Sequence, residues 1–176
     1  AVVAEPCPAR SGRAPVTEQA TRIILKAEHL GTNAQEPSEG PIANLIDGNT
    51  ATFFHTAWSV AIPGPHWLQI RLPEALTEGH WKFWYAPRNN GRQKPTDFDI
   101  LVSTGGSDWT LVKKFTKDED GLPVTATDAY TSPNLPVTQP FDHIRMVVNA
   151  VNSGEVFFTM SEFRLWQVKV VDPEAE

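Results

Sequence analysis

The chain has 176 residues, of which 40% are hydrophobic and 20% are charged, so a packed core can form and the composition is not that of a disordered chain. The formal net charge is -6 and no basic run occurs, which argues against nucleic acid or an anionic membrane surface as a simple electrostatic partner. No apolar run approaches the ~20 residues that a transmembrane helix needs. The 15 Pro and 11 Gly favour many short strands joined by turns.

Both ends of the chain lack an apolar period and are predicted to be tails. Residues 1–20 carry prolines and scattered arginines, which indicates a flexible tail or a linker from a preceding domain, and residues 171–176 form a second tail. The folded domain is therefore expected over residues 21–170. Cys7 is the single cysteine, so no internal disulfide can form, and we expect a free thiol in the first tail.

Within the predicted domain, apolar and polar residues alternate with a period of two, which is typical of strands buried on one face. The clearest runs are Leu68–Leu72, Trp81–Tyr85, Phe98–Val102 and Ile144–Val148. The pattern predicts an all-β domain of about eight strands in two packed sheets, with function carried by the loops at the ends of the sheets. A short helical turn is expected near Ala43–Ile46.

One loop offers hard oxygen ligands at close spacing. It contains the Asp47 carboxylate, the Asn49 amide and the Thr52 hydroxyl, and Gly48 permits the tight reversal that turns them inward. Calcium accepts six to eight such oxygens, including backbone carbonyls, and Glu162 is our candidate for a second carboxylate. The alternative is an ordinary turn in which the aspartate caps a following helical turn.

Several motifs follow one another in a characteristic order. They are N-L-I-D-G-N-T-A-T-F-F-H-T-A-W from residue 44, P-H-W-L-Q-I-R-L from residue 65, Y-A-P-R-N-N-G from residue 85, D-F-D-I-L-V-S-T-G-G-S-D-W from residue 97 and F-F-T-M-S-E-F-R-L-W from residue 157. Over roughly residues 25–168, this order resembles the coagulation factor V/VIII type C domain, also called the discoidin domain. Within that superfamily, it is most similar to the family-32 carbohydrate-binding modules.

The resemblance implies a galactose-binding-domain-like jelly-roll β-sandwich with a structural calcium ion. The metal-binding positions of the family fall on the side chains of Asp47, Thr52 and Glu162, and the calcium would pin the loop beside the binding face. Backbone oxygens would complete the cage, and these belong to Asn44, Asn49, Thr52 and Ser161.

The resemblance also assigns a sugar-binding set on loops at one end of the sandwich. His55 and Trp58 match the H-x-x-W loop, Arg88 matches the arginine of Y-x-P-R, and Phe157 matches the aromatic residue before the last strand. Aromatic rings pack on the C–H face of a sugar, while Arg, His and Asn bond its hydroxyls. The amide of this set is assigned to Asn90.

Each assignment has an alternative that the sequence leaves open. His55 would instead bond backbone and close the calcium loop, and Trp58 would be a core residue. Arg88 would be a solvated loop charge or a partner of Asp97. The amide that bonds the sugar could be that of Asn89 in place of Asn90, or the site could have no amide at all. Phe157 could be the buried ring of its pair, with Phe158 pointing outward.

These expectations describe a non-catalytic module that recognises terminal galactose-type or N-acetylated sugars. It would be a monomeric accessory domain of a larger glycan-active protein, at an extracellular, periplasmic or cell-surface location. The alternative is a protein-adhesion or phospholipid-binding discoidin-type module, although loops 59–65 and 153–158 are expected to expose few apolar residues beyond Phe157. An enzyme is not expected, because no nucleophile elbow, zinc helix motif or phosphate loop occurs.

Overall fold

The computed structural model describes residue 12 and residues 14–174. Over these residues the chain forms twelve strands, whose bounds are β1 Thr17–Ile23, β2 Leu30–Thr32, β3 Phe54–His55, β4 His66–Leu76, β5 His80–Ala86, β6 Pro95–Ser103, β7 Thr110–Thr116, β8 Tyr130–Thr131, β9 Leu135–Pro136, β10 Phe141–Val151, β11 Thr159–Met160 and β12 Glu162–Val171. Three short helical segments accompany them: 3-10 turns at Ala27–His29 and Ile42–Ile46, and α1 at Lys117–Asp120. In this part of the chain, no helix is long and apolar enough to cross a membrane.

The strands form two antiparallel five-stranded sheets and one small pair. The first sheet has the order β1-β12-β5-β8, with β9 also paired to β5, and the second has the order β2-β4-β10-β6-β7. The small pair joins β11 to β3. Four of the twelve strands have only two residues, so the predicted number of about eight matches the strands of three or more residues.

The core is formed by the inward face of each sheet. Along β4, Leu68, Ile70 and Leu72 are buried, while the residues between them are not, as the alternation predicted. At the centre, the ring of Phe83 lies 5.4 Å from that of Phe115 and 6.0 Å from that of Phe98, measured between centroids. Burying each such side chain stabilises the fold by about 1.5–3 kcal/mol.

The first strand corrects the predicted tail. Thr17 pairs with Val171, and the register continues to Ile23 opposite Leu165, so paired strands extend beyond the predicted boundaries at residues 21 and 170. Most side chains of β1 are exposed, so the strand is held by its backbone ladder and carries no apolar alternation that would reveal it. Cys7 lies outside the described residues.

Three loop segments meet beside the small β3–β11 pair. The N–H of Thr56 donates to the carbonyl of Phe158 at 3.0 Å, and the N–H of Thr159 donates to the carbonyl of Gln93 at 3.1 Å. A third bond runs from the N–H of Ser161 to the carbonyl of Ala86 at 2.9 Å. The fold therefore ties the segments around residues 53–58, 86–94 and 157–162 together at one end of the sandwich.

Candidate ligand-binding site

The small β3–β11 pair brings three of the predicted site residues together. The ring centroid of His55 lies 5.6 Å from that of Phe157 and 6.4 Å from that of Trp58. His55 is part of β3, Trp58 follows that strand, and Phe157 precedes β11. These residues form one aromatic cluster although they are distant in sequence.

The hydrogen bond of His55 determines which of its ring nitrogens accepts. The ring is buried, and Nδ1 lies 2.7 Å from the carbonyl oxygen of Thr56. Because a carbonyl only accepts, Nδ1 must carry the proton, which leaves Nε2 as an acceptor in the neutral ring. Burial lowers the pKa of His55 below its usual value, against the opposing effect of the Thr56 carbonyl, so the ring is neutral at pH 7. The backbone contact that the sequence left open is present, and it prepares the other nitrogen to accept from a ligand.

Trp58 is a surface residue, and the core alternative for it is wrong. The side chain is 50% exposed, and its indole N–H donates to Oε1 of Glu39 at 3.0 Å. This bond fixes the ring at its polar edge and leaves apolar surface open to solvent.

The buried carboxylate of Glu36 organises the backbone around this ring, and sequence reasoning missed it. It accepts the N–H of Trp58 and the N–H of Ser59, each at 2.7 Å, as well as the hydroxyl of Ser59. Burial alone would raise the pKa of this carboxyl, but the bonds from Ser59, Trp58 and Ser38 lower it to about 2. An isolated glutamate in a loop gives no local pattern from which this role could be read.

Arg88 stacks on an aromatic ring that the sequence did not single out. Its guanidinium carbon lies 3.6 Å from the ring centroid of Phe53, and the Phe53 ring in turn lies 6.3 Å from that of His55. Asp97 pairs with Lys114 at 2.8 Å, so the alternative that made Asp97 the partner of Arg88 is wrong. Phe53 therefore places the arginine beside the aromatic cluster.

Of the two adjacent phenylalanines, Phe158 is the buried ring, so the alternative that buried Phe157 is wrong. Phe158 is fully buried and packs edge-on against Phe54, with centroids 5.8 Å apart. Phe157 is only partly buried and faces the cluster.

Asn90 lies in the loop that carries Arg88, and its amide oxygen faces inward. Oδ1 accepts the N–H of Arg92 at 3.2 Å and the ammonium of Lys94 at 3.1 Å. Asn89 is exposed and lines a separate groove of ≈ 360 Å³ with Trp84 and Thr50. Hydrogen bonds within the loop that carries Arg88 therefore hold the amide of Asn90, whereas the Asn89 side chain lies in a different groove.

The predicted calcium loop closes on the last strand. The N–H of Asn49 donates to Oδ1 of Asp47 at 2.8 Å and to Oε1 of Glu162 at 3.1 Å, so both carboxylates converge on one backbone group. The hydroxyl of Thr52 donates to Oδ2 of Asp47 at 2.5 Å. Asn44 and Ser161 flank this group, with the Asn44 amide donating to the carbonyl of Phe53 at 2.9 Å and the Ser161 hydroxyl to that of Ala86 at 3.3 Å.

The electrostatics of this loop suit a cation. Glu162 is fully buried, and its Oε2 has no hydrogen-bond partner among the described residues. Burial, followed by the neighbouring Asp47, raises the pKa of Glu162 to about 7. The described residues hold no cluster of three or more His, Cys, Asp and Glu side chains suited to a metal, so a cation here would depend on backbone, hydroxyl and amide oxygens besides the two carboxylates.

The loop tips next to the aromatic cluster are more apolar than predicted. Val60 is 44% exposed and Val156 is 48% exposed, in addition to Trp58. With Ile62 and Phe157, these side chains line a groove of ≈ 350 Å³. The expectation of few exposed apolar residues in these loops is therefore wrong.

Comparison with known proteins identifies the family. The model of the F5/8 type C domain matches residues 29–163. A sialidase of Micromonospora viridifaciens is 28% identical over 134 residues, which are 72% of this chain and 19% of the relative. An A type blood N-acetyl-alpha-D-galactosamine deacetylase of Flavonifractor plautii is 30% identical over 89 residues, which are 44% of this chain and 11% of the relative. The chain thus spans less than a fifth of the length of either relative.

Solved structures share the fold. The family 32 module of NanJ from Clostridium perfringens, in complex with galactose, has a TM-score of 0.62 and 21% identity, covering 85% of this chain and 100% of that one. A second C. perfringens module, CpGH89CBM32-5 in complex with GalNAc-beta-1,3-galactose, has a TM-score of 0.66 and 17% identity, covering 82% and 99%. With its β-sandwich, its motif order and a family match over residues 29–163, the chain belongs to the F5/8 type C domain family, and it shares its fold with family 32 carbohydrate-binding modules.

Proposed function

We propose that the chain is a non-catalytic carbohydrate-binding module that recognises terminal galactose-type or N-acetylated sugars. The observation that carries the proposal is the exposed ring of Trp58 beside the neutral imidazole of His55. An exposed indole offers a flat apolar partner to the C–H face of a sugar, and a neutral imidazole nitrogen accepts from a hydroxyl.

Arg88 supplies the complementary donors. Its guanidinium carbon lies 3.6 Å from the ring centroid of Phe53, and the planar fork of N–H groups would bond adjacent hydroxyls of a sugar. A stacked guanidinium also loses little rotational freedom when a ligand binds. The site therefore combines an apolar platform with donors and an acceptor on one side of it.

The site is open to solvent, and this sets the expected affinity. Trp58 and its neighbours line a shallow groove and not an enclosed cavity. A surface that contacts one or two sugar units is expected to bind with a Kd near millimolar, which corresponds to about -4 kcal/mol. Repeated modules or clustered glycans would raise the effective affinity through avidity.

The relatives support a role within a larger glycan-active protein, for which we propose an extracellular, periplasmic or cell-surface location. Two of the similar solved structures hold galactose or a galactose-containing disaccharide, and the similar sialidase and deacetylase are much longer than this chain. On this proposal the module keeps a partner domain close to its glycan.

Three aspartates that could be considered as acid or base groups of a glycosidase, Asp97, Asp99 and Asp120, are engaged in ion pairs. Lys114 bridges Asp97 at 2.8 Å and Asp99 at 3.1 Å, and Lys113 pairs with Asp120 at 2.9 Å. Two carboxyl groups facing each other across a cleft are what glycoside hydrolysis requires. These ion pairs support binding without catalysis.

Calcium belongs to the proposal as a structural ion. Asp47, Thr52 and Glu162 would contribute side-chain oxygens, and the backbone of Asn44, Asn49, Thr52 and Ser161 would contribute the rest. The ion would supply positive charge between two close carboxylates. The Asn44 amide bonded to the Phe53 carbonyl joins this loop to the ring on which Arg88 stacks.

The apolar loop tips favour a second candidate function. Trp58, Val60 and Val156 together present the kind of exposed patch that discoidin-type modules would use against a protein or a phospholipid surface. The net charge of -6 opposes an anionic membrane, so this candidate requires a neutral surface or a protein partner.

A glycan-array screen of the calcium-loaded domain tests these functions. The informative variant is Arg88→Ala, and its matched control is Arg92→Ala, because Arg92 lies in the same loop but pairs outward with Glu155 at 2.7 Å. Binding to galactose-type or N-acetylated glycans that is lost only in Arg88→Ala supports the sugar site. Silence across the array from a folded domain would reject it, and binding to neutral phospholipid vesicles would then favour the second candidate.

A further inference from the structure

Lys94 is a buried lysine behind the loop that carries Arg88 and Asn90. We propose that it is a positioning residue for the sugar site, which fixes the backbone of Arg88 and turns the Asn90 amide so that its NH2 group faces the ligand. The inference rests on the proposed function and names a determinant of its specificity that the motifs do not contain.

The backbone of Lys94 is anchored on both sides. Its N–H donates to Oδ1 of Asn152 at 2.9 Å, and its carbonyl accepts the N–H of Asn152 at 2.9 Å. The side chain, which is 1% exposed, runs back under the loop. Its ammonium donates to the carbonyl of Arg88 and, at 3.1 Å, to Oδ1 of Asn90.

Burying the ammonium group of Lys94 is unfavourable unless other interactions compensate for its desolvation. Within the described part of the chain, no hydrogen bond or ion pair joins Lys94 to a carboxylate, and burial, followed by the neighbouring charge of Arg88, lowers its pKa to about 8. An apolar side chain of similar length would fill the same space without desolvating an ammonium group. The two hydrogen bonds to the ligand-binding loop are what the lysine adds.

These bonds determine the polarity of Asn90. Oδ1 accepts from both Lys94 and the N–H of Arg92, which uses its two lone pairs. An ammonium group has no acceptor, so the amide cannot be turned the other way. Asn90 therefore presents donors only, whereas His55 presents an acceptor because its Nδ1–H is bonded to Thr56.

This arrangement of hydrogen-bond donors and acceptors specifies the groups that a ligand must offer. Arg88 and Asn90 both donate, so they require lone pairs on neighbouring ligand oxygens, and His55 requires a hydroxyl that can donate to it. A sugar with adjacent hydroxyls meets both demands. Without Lys94, only the N–H of Arg92 would restrain the Asn90 amide, and a less restrained amide would bind more weakly and discriminate less.

A double-mutant cycle tests this role. Lys94→Met, Asn90→Ala and the double variant are titrated with methyl β-galactoside and with N-acetylgalactosamine, using calcium-loaded protein and NMR detection. We expect Lys94→Met to weaken binding about tenfold, and Asn90→Ala to add little in the Lys94→Met background. The matched control is Lys113→Met, since Lys113 pairs with Asp120 away from the loop and its removal should leave affinity unchanged.

The outcomes separate the two levels of the proposal. If the wild-type domain binds neither sugar, the proposed function fails and the positioning role fails with it. If the wild type binds but the two losses are additive, or Lys94→Met binds normally, only the positioning role is rejected. If Lys94→Met does not fold, the NMR spectrum of the wild-type domain provides the test. The side-chain NH2 signals of Asn90 should shift when the domain is saturated with sugar. Unshifted signals would contradict an NH2 group that faces the ligand.

Discussion

The carboxylate of Glu36 accepts the backbone N–H of Trp58 at 2.7 Å, so a buried acid holds the most exposed aromatic ring of the site. The same carboxylate accepts the N–H of Ser59, and Glu39 holds the indole N–H. Backbone and ring edge are thus both restrained before a ligand arrives. Such preorganisation reduces the ordering cost of binding, which matters for a surface site of low affinity.

Replacing Glu36 with Gln should loosen this loop and weaken sugar binding. The folded-state pKa of about 2 lies below the usual 4.5, so the carboxylate contributes stability that is present above pH 4.5 and lost as the pH falls toward 2. Urea unfolding at pH 7, 4.5 and 2.5 should therefore show a gap between wild type and Glu36→Gln that closes with acidification. Glu78→Gln, at an exposed turn, is the control. A gap of equal size at all three pH values would contradict this account of Glu36.

Trp58→Ala should weaken sugar binding strongly while leaving the stability of the domain nearly unchanged. Because the ring is half exposed, its removal should alter the free energy of unfolding by about 0.5 kcal/mol or less, but sugar affinity should fall at least about tenfold. Calorimetric titration and thermal unfolding measure the two effects. Val60→Ala, on the same loop tip, should leave sugar affinity intact. Equal losses in both variants would indicate a general apolar surface and not a sugar platform.

The sheet strands could be predicted because burial on one face forces alternation. In β4, Leu68, Ile70 and Leu72 face the core, and Gln69 and Arg71 lie between them on the other face. The strand β1 escaped prediction since nearly all of its side chains are exposed and only the backbone pairing to β12 defines it. A pattern of side chains cannot reveal a strand that has no buried face.

The residues of the candidate site likewise fall into those that the sequence could predict and those that it could not. His55, Trp58 and Phe157 sit in motifs that could be matched in order, and the structure brings them together. Glu36 and Lys94 could not be found, because a buried charge is recognised by the groups around it. The contact from Glu36 to Trp58 spans 22 residues and leaves no periodic trace in the chain.

Phe53→Leu should weaken binding through Arg88. The guanidinium lies 3.6 Å from the ring centre, and a cation–π contact at an exposed site contributes about 0.5–1 kcal/mol, so we expect a loss of about twofold to fivefold in affinity. Adding Phe53→Leu to an Arg88→Ala variant should cause no further loss. Titration of the single and double variants measures this, and additive losses would mean that Phe53 contacts the ligand directly.

Calcium should stabilise the domain more at pH 7.5 than at pH 5. In the metal-free protein, the pKa of Glu162 is raised from its usual 4.5 to about 7, so its contribution to stability is present below pH 4.5 and is lost as the pH rises through 7. Calcium requires the ionised carboxylate and would offset that loss. At 100 times its Kd, an ion that binds only the folded state adds about 2.7 kcal/mol. Thermal unfolding in calcium and in chelator measures the difference at each pH.

Glu162→Gln provides the counterpart to the calcium experiment. A neutral amide of nearly the same size removes the repulsion with Asp47, so the metal-free variant should unfold at a higher temperature than metal-free wild type at pH 7.5. Calcium should then add little to the variant, because one of its two carboxylate ligands is gone. Magnesium serves as the ion control, since it demands a tighter octahedral shell. If calcium stabilised wild type and Glu162→Gln equally, the ion would be bound elsewhere, and the two carboxylates would serve only to hold a turn through their bonds to Asn49 and Thr52.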